Sequence, residues 1–285
     1  MAKLPPVTNT TKYLLEYAQP DVEWNRRDYL SMSGLANECD RVPWFSFRWA
    51  VKRFIPVRNV RIFERGDIEE ERVVRDLKKC GLKVFKVIDG EEIEMTGKIG
   101  ELQEELVGFA GHAKGHPDGR VLGLPESPDV VHLLEIKTMA DKYWKQFVKL
   151  GIEKSHPIYF GQMIKYMGHM KLKRGLIVAT NKDTEERHYE RINFSKDKFA
   201  ELQDKERELI IETVPPVRMF ERTWWKCKTC SYNTICHDNA APDVNCRTCK
   251  FVELDFGGKW ICGKDKTELS TDMQIAACKK YKRGF

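Results

Sequence analysis

At 285 residues, with 41% hydrophobic and 32% charged side chains, the chain can bury a full core and is not collagen-like or disordered. No stretch approaches the roughly 18 uninterrupted apolar residues of a membrane span, and MAKLPPVTNTTKYLLEY lacks the apolar run of a secretory signal, so a cytoplasmic protein with no membrane partner is expected. Lys and Arg exceed Asp and Glu by 49 − 43 = 6, which suits a polyanionic partner without requiring one.

The opening sixty residues are aromatic-rich, with Trp24, Trp44, Phe45, Phe47 and Trp49. SGLANECDRVPWFSFRWAVKRF reads as helical to about Cys39 and broken near Pro43. Residues Ile62 to Lys79 carry apolar side chains at helical spacing, and Gly81 ends that helix. KVFKVID and EEIEMTG predict a hairpin turning at Asp89-Gly90. LVGFAGHAKGHPDGRVLGL and VVHLLEIKTM read as two further strands. ADKYWKQFVKLG is a short helix, and SHPIYFGQMIKYMGHM a longer one with Ser155 as N-cap and Pro157 in its first turn. GLIVATN and RHYERINF are strands, and SKDKFAELQDKERELIIETV is an amphipathic helix ended by Pro215-Pro216. Beyond about Arg218 periodicity fades and cysteines accumulate, with a second boundary near Ala240-Ala241-Pro242.

Two segments carry the chemistry. GHPDGRV places Asp118 at a strand, and LLEIKTM places Glu135 and Lys137 on the next, where alternation points both side chains one way and Ile136 into the core. An isolated Glu-x-Lys is usually an ion pair on a solvated face. An aspartate at short spacing beside it changes the reading. Two carboxylates and an ammonium can hold Mg²⁺ or Mn²⁺, activate water and balance charge on a phosphodiester.

At these residues the chain resembles the PD-(D/E)XK nucleases of the RecB-like branch. GHPDG and LLEIKT match the acidic–lysine motif through Asp118, Glu135 and Lys137, and Gln162 and Tyr166 in FGQMIKYM match its Gln-x-x-x-Tyr signature. Gly66 and Glu70 in ERGDIEEE match a further motif, in the variant seen in lambda-type phage exonucleases; the surrounding Asp67, Glu69 and Glu71 compete for that assignment. The resemblance implies a restriction-endonuclease-like α/β (α+β) core with a mixed central sheet flanked by helices, reaching to about residue 236. It also implies that Asp118, Glu135, the Ile136 carbonyl and Glu70 bind the catalytic metal. Lys137 would position the water, and Gln162 and Tyr166 would orient the strands and contact DNA. Trp144, Lys145 and Lys149, on the following helix, are candidates to guide a DNA strand by stacking and phosphate contacts. His112 and His116 flank the motif and read as hydrogen-bonded strand residues.

Seven of the nine cysteines follow residue 226, and thiol clusters in a reducing compartment read as metal ligands first. Cys227-x₂-Cys230-x₅-Cys236 supplies three, with Cys39 as a remote fourth across 187 intervening residues, 40 to 226. This arrangement resembles the iron–sulfur subset of RecB-like nucleases, the AddB-type and CRISPR-associated enzymes, which implies a [4Fe–4S] cluster; Zn²⁺ in the same four sulfurs is the alternative, since both accept four cysteines. Cys246-x₂-Cys249-x₁₂-Cys262-x₁₅-Cys278 predicts a separate structural zinc site in a tail too short to fold unaided. Cys80 is left over.

The expectation is therefore a nuclease domain over 1–240 and a zinc module over 241–285. Its activity would be that of a metal-dependent DNA exonuclease in recombination, repair or end processing, including that of a phage. The alternatives are an endonuclease or CRISPR-adaptation nuclease, and, in another class, a non-catalytic DNA-binding adaptor. The tail would contact DNA through Arg247, Lys250, Lys279, Lys280, Lys282 and Arg283, dock a recombination or replication protein, or serve stability alone.

Overall fold

The computed structural model describes residues 22–23 and 26–285; Trp24 lies outside them. Among the described residues the first helix, α1, spans Arg41–Phe47 and includes Pro43, while residues 26–40 hold only the short strand Leu30–Ser31 and a 3₁₀ turn at Met32–Gly34. This reverses the expected order of helix and break. Pro43 is the third helical residue, where no backbone N–H has an intrahelical partner to lose. Helix α2 runs Val57–Lys79, starting ahead of Ile62. Strands β1 (Lys83–Ile88) and β2 (Glu91–Glu94) form the expected hairpin, with Asp89 at φ 52° and Gly90 at φ 86°, as a type I′ turn requires.

The single strand expected across LVGFAGHAKGHPDGRVLGL is three pieces. Ala110 (φ 51°) and Gly111 (φ 75°) reverse the chain between Leu106–Val107 and Ala113–Gly115, which pair with each other and, through Leu30–Ser31, form a separate small sheet. After Pro117 the chain enters β3, Gly119–Leu122. Next come β4 (His132–Met139), α3 (Asp141–Leu150), a single turn at Ile152–Ser155, and α4 (Pro157–His169). The N-cap of α4 is His156 rather than Ser155, whose hydroxyl instead donates to the Gly151 carbonyl at 2.6 Å. Strands β5 (Arg174–Asn181) and β6 (Arg187–Asn193) follow, then α5 (Lys196–Ile211), capped by the Ser195 hydroxyl on Lys198 N–H.

The six strands form one mixed sheet in the order β6-β5-β4-β3-β1-β2, with β4 and β5 parallel and every other pair antiparallel. The helical crossover α3–α4 joins the parallel pair. Leu134, Ile136, Leu176 and Val178 face α2 through Val73, Val74 and Leu77. Leu133, Ile177 and Ala179 lie in the cluster with Phe147, Met163, Ile164 and Leu202 from α3, α4 and α5. Burial on both faces explains why β4 and β5 read as near-continuous apolar runs. The fold is thus mixed α/β, a central mixed sheet flanked by helices, followed by a cysteine-rich C-terminal region.

That region holds short helices at Trp225–Lys228 and Asn233–Asp238, the hairpin β7 (Val252–Leu254) with β8 (Trp260–Cys262), and α6 (Thr271–Ala276). It packs on residues 28–50. Trp260 and Leu269 share a cluster with Trp44 and Phe47, and the Phe285 ring meets Trp44 edge-on at 4.7 Å. Among the described residues no helix is long and apolar enough to cross a membrane.

Candidate active site

The antiparallel pairing of β3 with β4 sets Gly119 opposite Leu134, which brings Asp118 beside the start of the Glu135–Lys137 stretch. Asp118 accepts the Ile136 backbone N–H at 2.7 Å and stands 3.8 Å from Lys137 Nζ. Glu135 is fully buried, and its Oε1 lies 2.5 Å from Lys137 Nζ. Helix α4 closes over this face. Gln162 Nε2 donates to the same Glu135 oxygen at 2.7 Å. Tyr166, one helical turn on, is buried, and Gly115 lies beneath its ring: a Cβ there would stand 2.5 Å from the ring edge. Glycine at 115 is what lets the phenol approach the site.

Glu135 Oε2 is buried with no hydrogen-bond partner. Burial, then the neighbouring Asp118 and Glu70 carboxylates, push the Glu135 carboxyl up to about 8 against the pull of Lys137. Glu70, half-buried on α2, rises to about 7 through burial and Asp118. Its neighbour Glu69 is committed elsewhere, accepting from Thr180 at 2.8 Å and from Arg187 at 2.8 Å. Two of the acids of ERGDIEEE are thereby told apart: Glu69 braces the sheet and Glu70 faces the cluster. For Lys137, burial opposes the charge, but Glu135 and Asp118 outweigh it and hold the ammonium protonated. Burial, Glu135 and Asp118 likewise keep the Tyr166 hydroxyl neutral.

Glu70 and His116 line a cleft of about 550 Å³ together with Asp67, Lys86 and Lys98. A separate, more apolar cleft of about 530 Å³ lies between Phe109, Ile210 and the tail, and shares no residue with the acidic cluster. His116 faces Tyr29 at 3.4 Å, and His112 is buried with its Nε2 on the Asp255 carbonyl at 2.8 Å. Sequence reasoning missed Tyr159, whose ring centroid is 5.6 Å from Lys137 Nζ. Positions 159, 162 and 166 share one face of α4, a signal present in the helical spacing.

The three residues expected to guide a DNA strand divide by burial. Trp144 is half-buried, its indole N–H donating to the Ala179 carbonyl at 3.1 Å, so it anchors α3 instead of offering a free stacking face. Lys145 and Lys149 are exposed, Lys145 pairing with Asp141 at 2.8 Å.

The first cysteine set is gathered from both ends of the fold. Cys39 precedes α1, and Cys227, Cys230 and Cys236 lie on or beside the two short helices after α5. Burial and then the thiols of Cys39, Cys230 and Cys236 raise Cys227, which makes the four mutual neighbours. Arg41 joins them, donating to the Cys236 sulfur at 2.9 Å and to the Pro216 carbonyl at 2.8 Å. The second set lines one small cavity. There burial and then Cys249, Cys278 and Cys262 push Cys246 up to about 11. Among the described residues no three His, Cys, Asp or Glu side chains are gathered closely enough to hold a metal ion as they stand.

No protein-family model and no curated protein matches the chain. Among solved structures, the crystal structure of SSO0001 is similar at 16% identity over 81% of this chain and 97% of that one, with a TM-score of 0.39. An alkaline exonuclease (LHK-Exo) from Laribacter hongkongensis is similar at 16% identity over 65% of this chain and 87% of its own, with a TM-score of 0.43. Its complex with dAMP gives 0.44 over the same shares. Likeness at this level carries no functional argument.

Proposed function

We propose that this chain is a metal-dependent DNA nuclease of PD-(D/E)XK type, acting as an exonuclease in recombination, repair or end processing. The observation that carries the reading is the Glu135 carboxylate. It is buried beside Asp118 and within reach of Glu70, with one oxygen unpartnered, which leaves a concentration of negative charge suited to a cation. Mg²⁺ or Mn²⁺ held by Asp118, Glu135, the Ile136 carbonyl and Glu70 would supply Lewis-acid polarisation of the phosphate and acidify a bound water.

The protein's own contributions follow from the geometry. Asp118 is held on β4 by the Ile136 N–H, and Gln162 fixes the Glu135 rotamer from α4. Lys137 keeps its proton and one-fifth of its side-chain surface, so it can orient a water or meet the charge developing on a phosphate. Tyr166 offers a neutral hydroxyl donor. Lys145 and Lys149 lie on the exposed face of α3, where a DNA backbone could run. Cys39, Cys227, Cys230 and Cys236 would hold a [4Fe–4S] cluster that ties the ends of this domain together.

The test is an assay on end-labelled linear and covalently closed circular DNA with Mg²⁺. Linear DNA should be degraded and closed circles spared. Lys137→Ala should lower the rate by about two orders of magnitude or more while leaving DNA affinity near wild type. Near-normal turnover in Lys137→Ala would reject this constellation as the site, and cutting of closed circles would make the enzyme an endonuclease.

A further inference from the structure

Arg247 stands between Cys246 and Cys249 in a basic-looking stretch, yet it is 1% exposed. Its guanidinium lies 3.7 Å from the Trp49 ring centroid and 4.3 Å from that of Trp260. It donates to the Phe47 carbonyl at 3.0 Å, the Asp28 carbonyl at 3.2 Å and the Gln274 side-chain oxygen at 2.7 Å. All three acceptors are neutral oxygens. A buried cation so placed is tolerated only while those acceptors and rings stay in position.

The C-terminal elements that grip Arg247 run into cysteines. Trp260 begins β8, which ends at Cys262, and Gln274 lies on α6, just ahead of Cys278. The turn carrying Arg247 is flanked by Cys246 and Cys249 and held by Asn245, whose side chain accepts from Arg247 N at 2.9 Å and donates to the Trp49 carbonyl at 3.0 Å. The four thiols line one cavity between these pieces. With little core of its own, the tail needs a staple to keep the pieces together.

We infer that Cys246, Cys249, Cys262 and Cys278 hold one structural Zn²⁺, and that this ion locks the grip on Arg247, making the tail a clamp on the Asp28–Trp49 segment rather than an independent module. Zn²⁺ suits four thiolates in tetrahedral array. The clamp stands whether or not the chain is a nuclease.

A double-mutant cycle on the full chain tests it, with zinc by elemental analysis, thermal midpoint, and hydrogen exchange of residues 43–50. The paired variant Cys262→Ser/Cys278→Ser should lose one zinc per chain and speed exchange of that segment at least tenfold. Arg247→Met should keep its zinc and lower the midpoint by about 5 °C in the wild-type background, but by less than a third of that in the cysteine variant, because both changes release one contact. Equal effects of Arg247→Met in the two backgrounds, or a wild-type chain without zinc, would overturn the inference. If the cysteine variant does not fold, zinc is released from the wild-type chain with an organomercurial under a colorimetric chelator. Exchange at 43–50 rising in step with zinc release supports the clamp; release without a rise overturns it.

Discussion

Glu135 sets the pH behaviour of the unliganded protein. Its carboxyl is raised to about 8 by burial and by Asp118 and Glu70, whereas an unfolded glutamate titrates near 4.3. Between these values the folded chain holds a proton that the unfolded chain has lost, so stability falls as pH rises through the window. Glu70, raised to about 7, acts in the same sense. His112 and His132 oppose them at the lower end, because burial lowers both and their contribution grows as pH rises. Comparing wild type with Glu135→Gln isolates the carboxyl from the histidines. In chelator, wild type should lose ground to Glu135→Gln steadily from about pH 5 to pH 8 in thermal-shift profiles. A constant gap across that range would show that Glu135 ionises normally. The Asp118–Glu135–Lys137 set was readable in the sequence because strand alternation puts Glu135 and Lys137 on one face and a short spacing returns Asp118 to the next strand. The distinction between Glu69 and Glu70 was not, since it depends on Arg187 and Thr180, more than a hundred positions away.

Among the elements, α4 matters most, because it carries Tyr159, Gln162 and Tyr166 over the site. Its seat depends on Gly168. A Cβ there would collide with the Phe199 ring of α5, whose atoms are the nearest ones. Gly168→Ala gains about 1 kcal/mol of helix propensity, but the Phe199 ring, which also meets Phe194 and His169, would have to leave those contacts to make room. Overpacking of this kind costs about 1–3 kcal/mol. We expect Gly168→Ala to lower the urea midpoint; an unchanged or raised midpoint would mean α4 can shift without penalty. Helix α4, the β1–β2 hairpin and α5 were legible because helical spacing, a turn dipeptide and a closing Pro-Pro are local signals. Helix α1 was misread because Pro43 breaks a helix interior but is neutral in a first turn, and the sequence alone does not say where the first turn falls. The fragmentation of residues 106–122 came from left-handed backbone at Ala110, a residue type that gives no warning of it.

At the scale of the whole molecule, residues 28–50 meet the C-terminal region twice, at Cys39 beside the first cysteine set and at Trp49 against Arg247 of the second. The tail's attachment was hidden because Arg247 reads as one more basic residue of a polyanion-binding surface, and only its burial against Trp49 reveals it as a plug. Of the first set, spacing alone marked Cys227, Cys230 and Cys236, Cys39 joined them through the resemblance, and a closure by all four would have a measurable consequence. In a loaded set Cys39 would be the ligand that spans the fold, whereas Cys227, Cys230 and Cys236 lie within one short stretch. Linking residues so far apart restricts the unfolded chain far more than linking neighbours, since closure entropy grows with the length enclosed. With the set loaded, Cys39→Ser should therefore destabilise the fold by on the order of 3 kcal/mol, and Cys230→Ser, which leaves the long link in place, by clearly less. Arg41, bonded to the Cys236 sulfur and to the Pro216 carbonyl, keeps the two segments adjacent in either variant, so folding should survive and permit the comparison. Anaerobic denaturant titration, followed alongside visible absorbance and iron content, measures both. Equal losses in the two variants would mean that the first set acts as a local knot in residues 227–236 and does not join the ends of the domain.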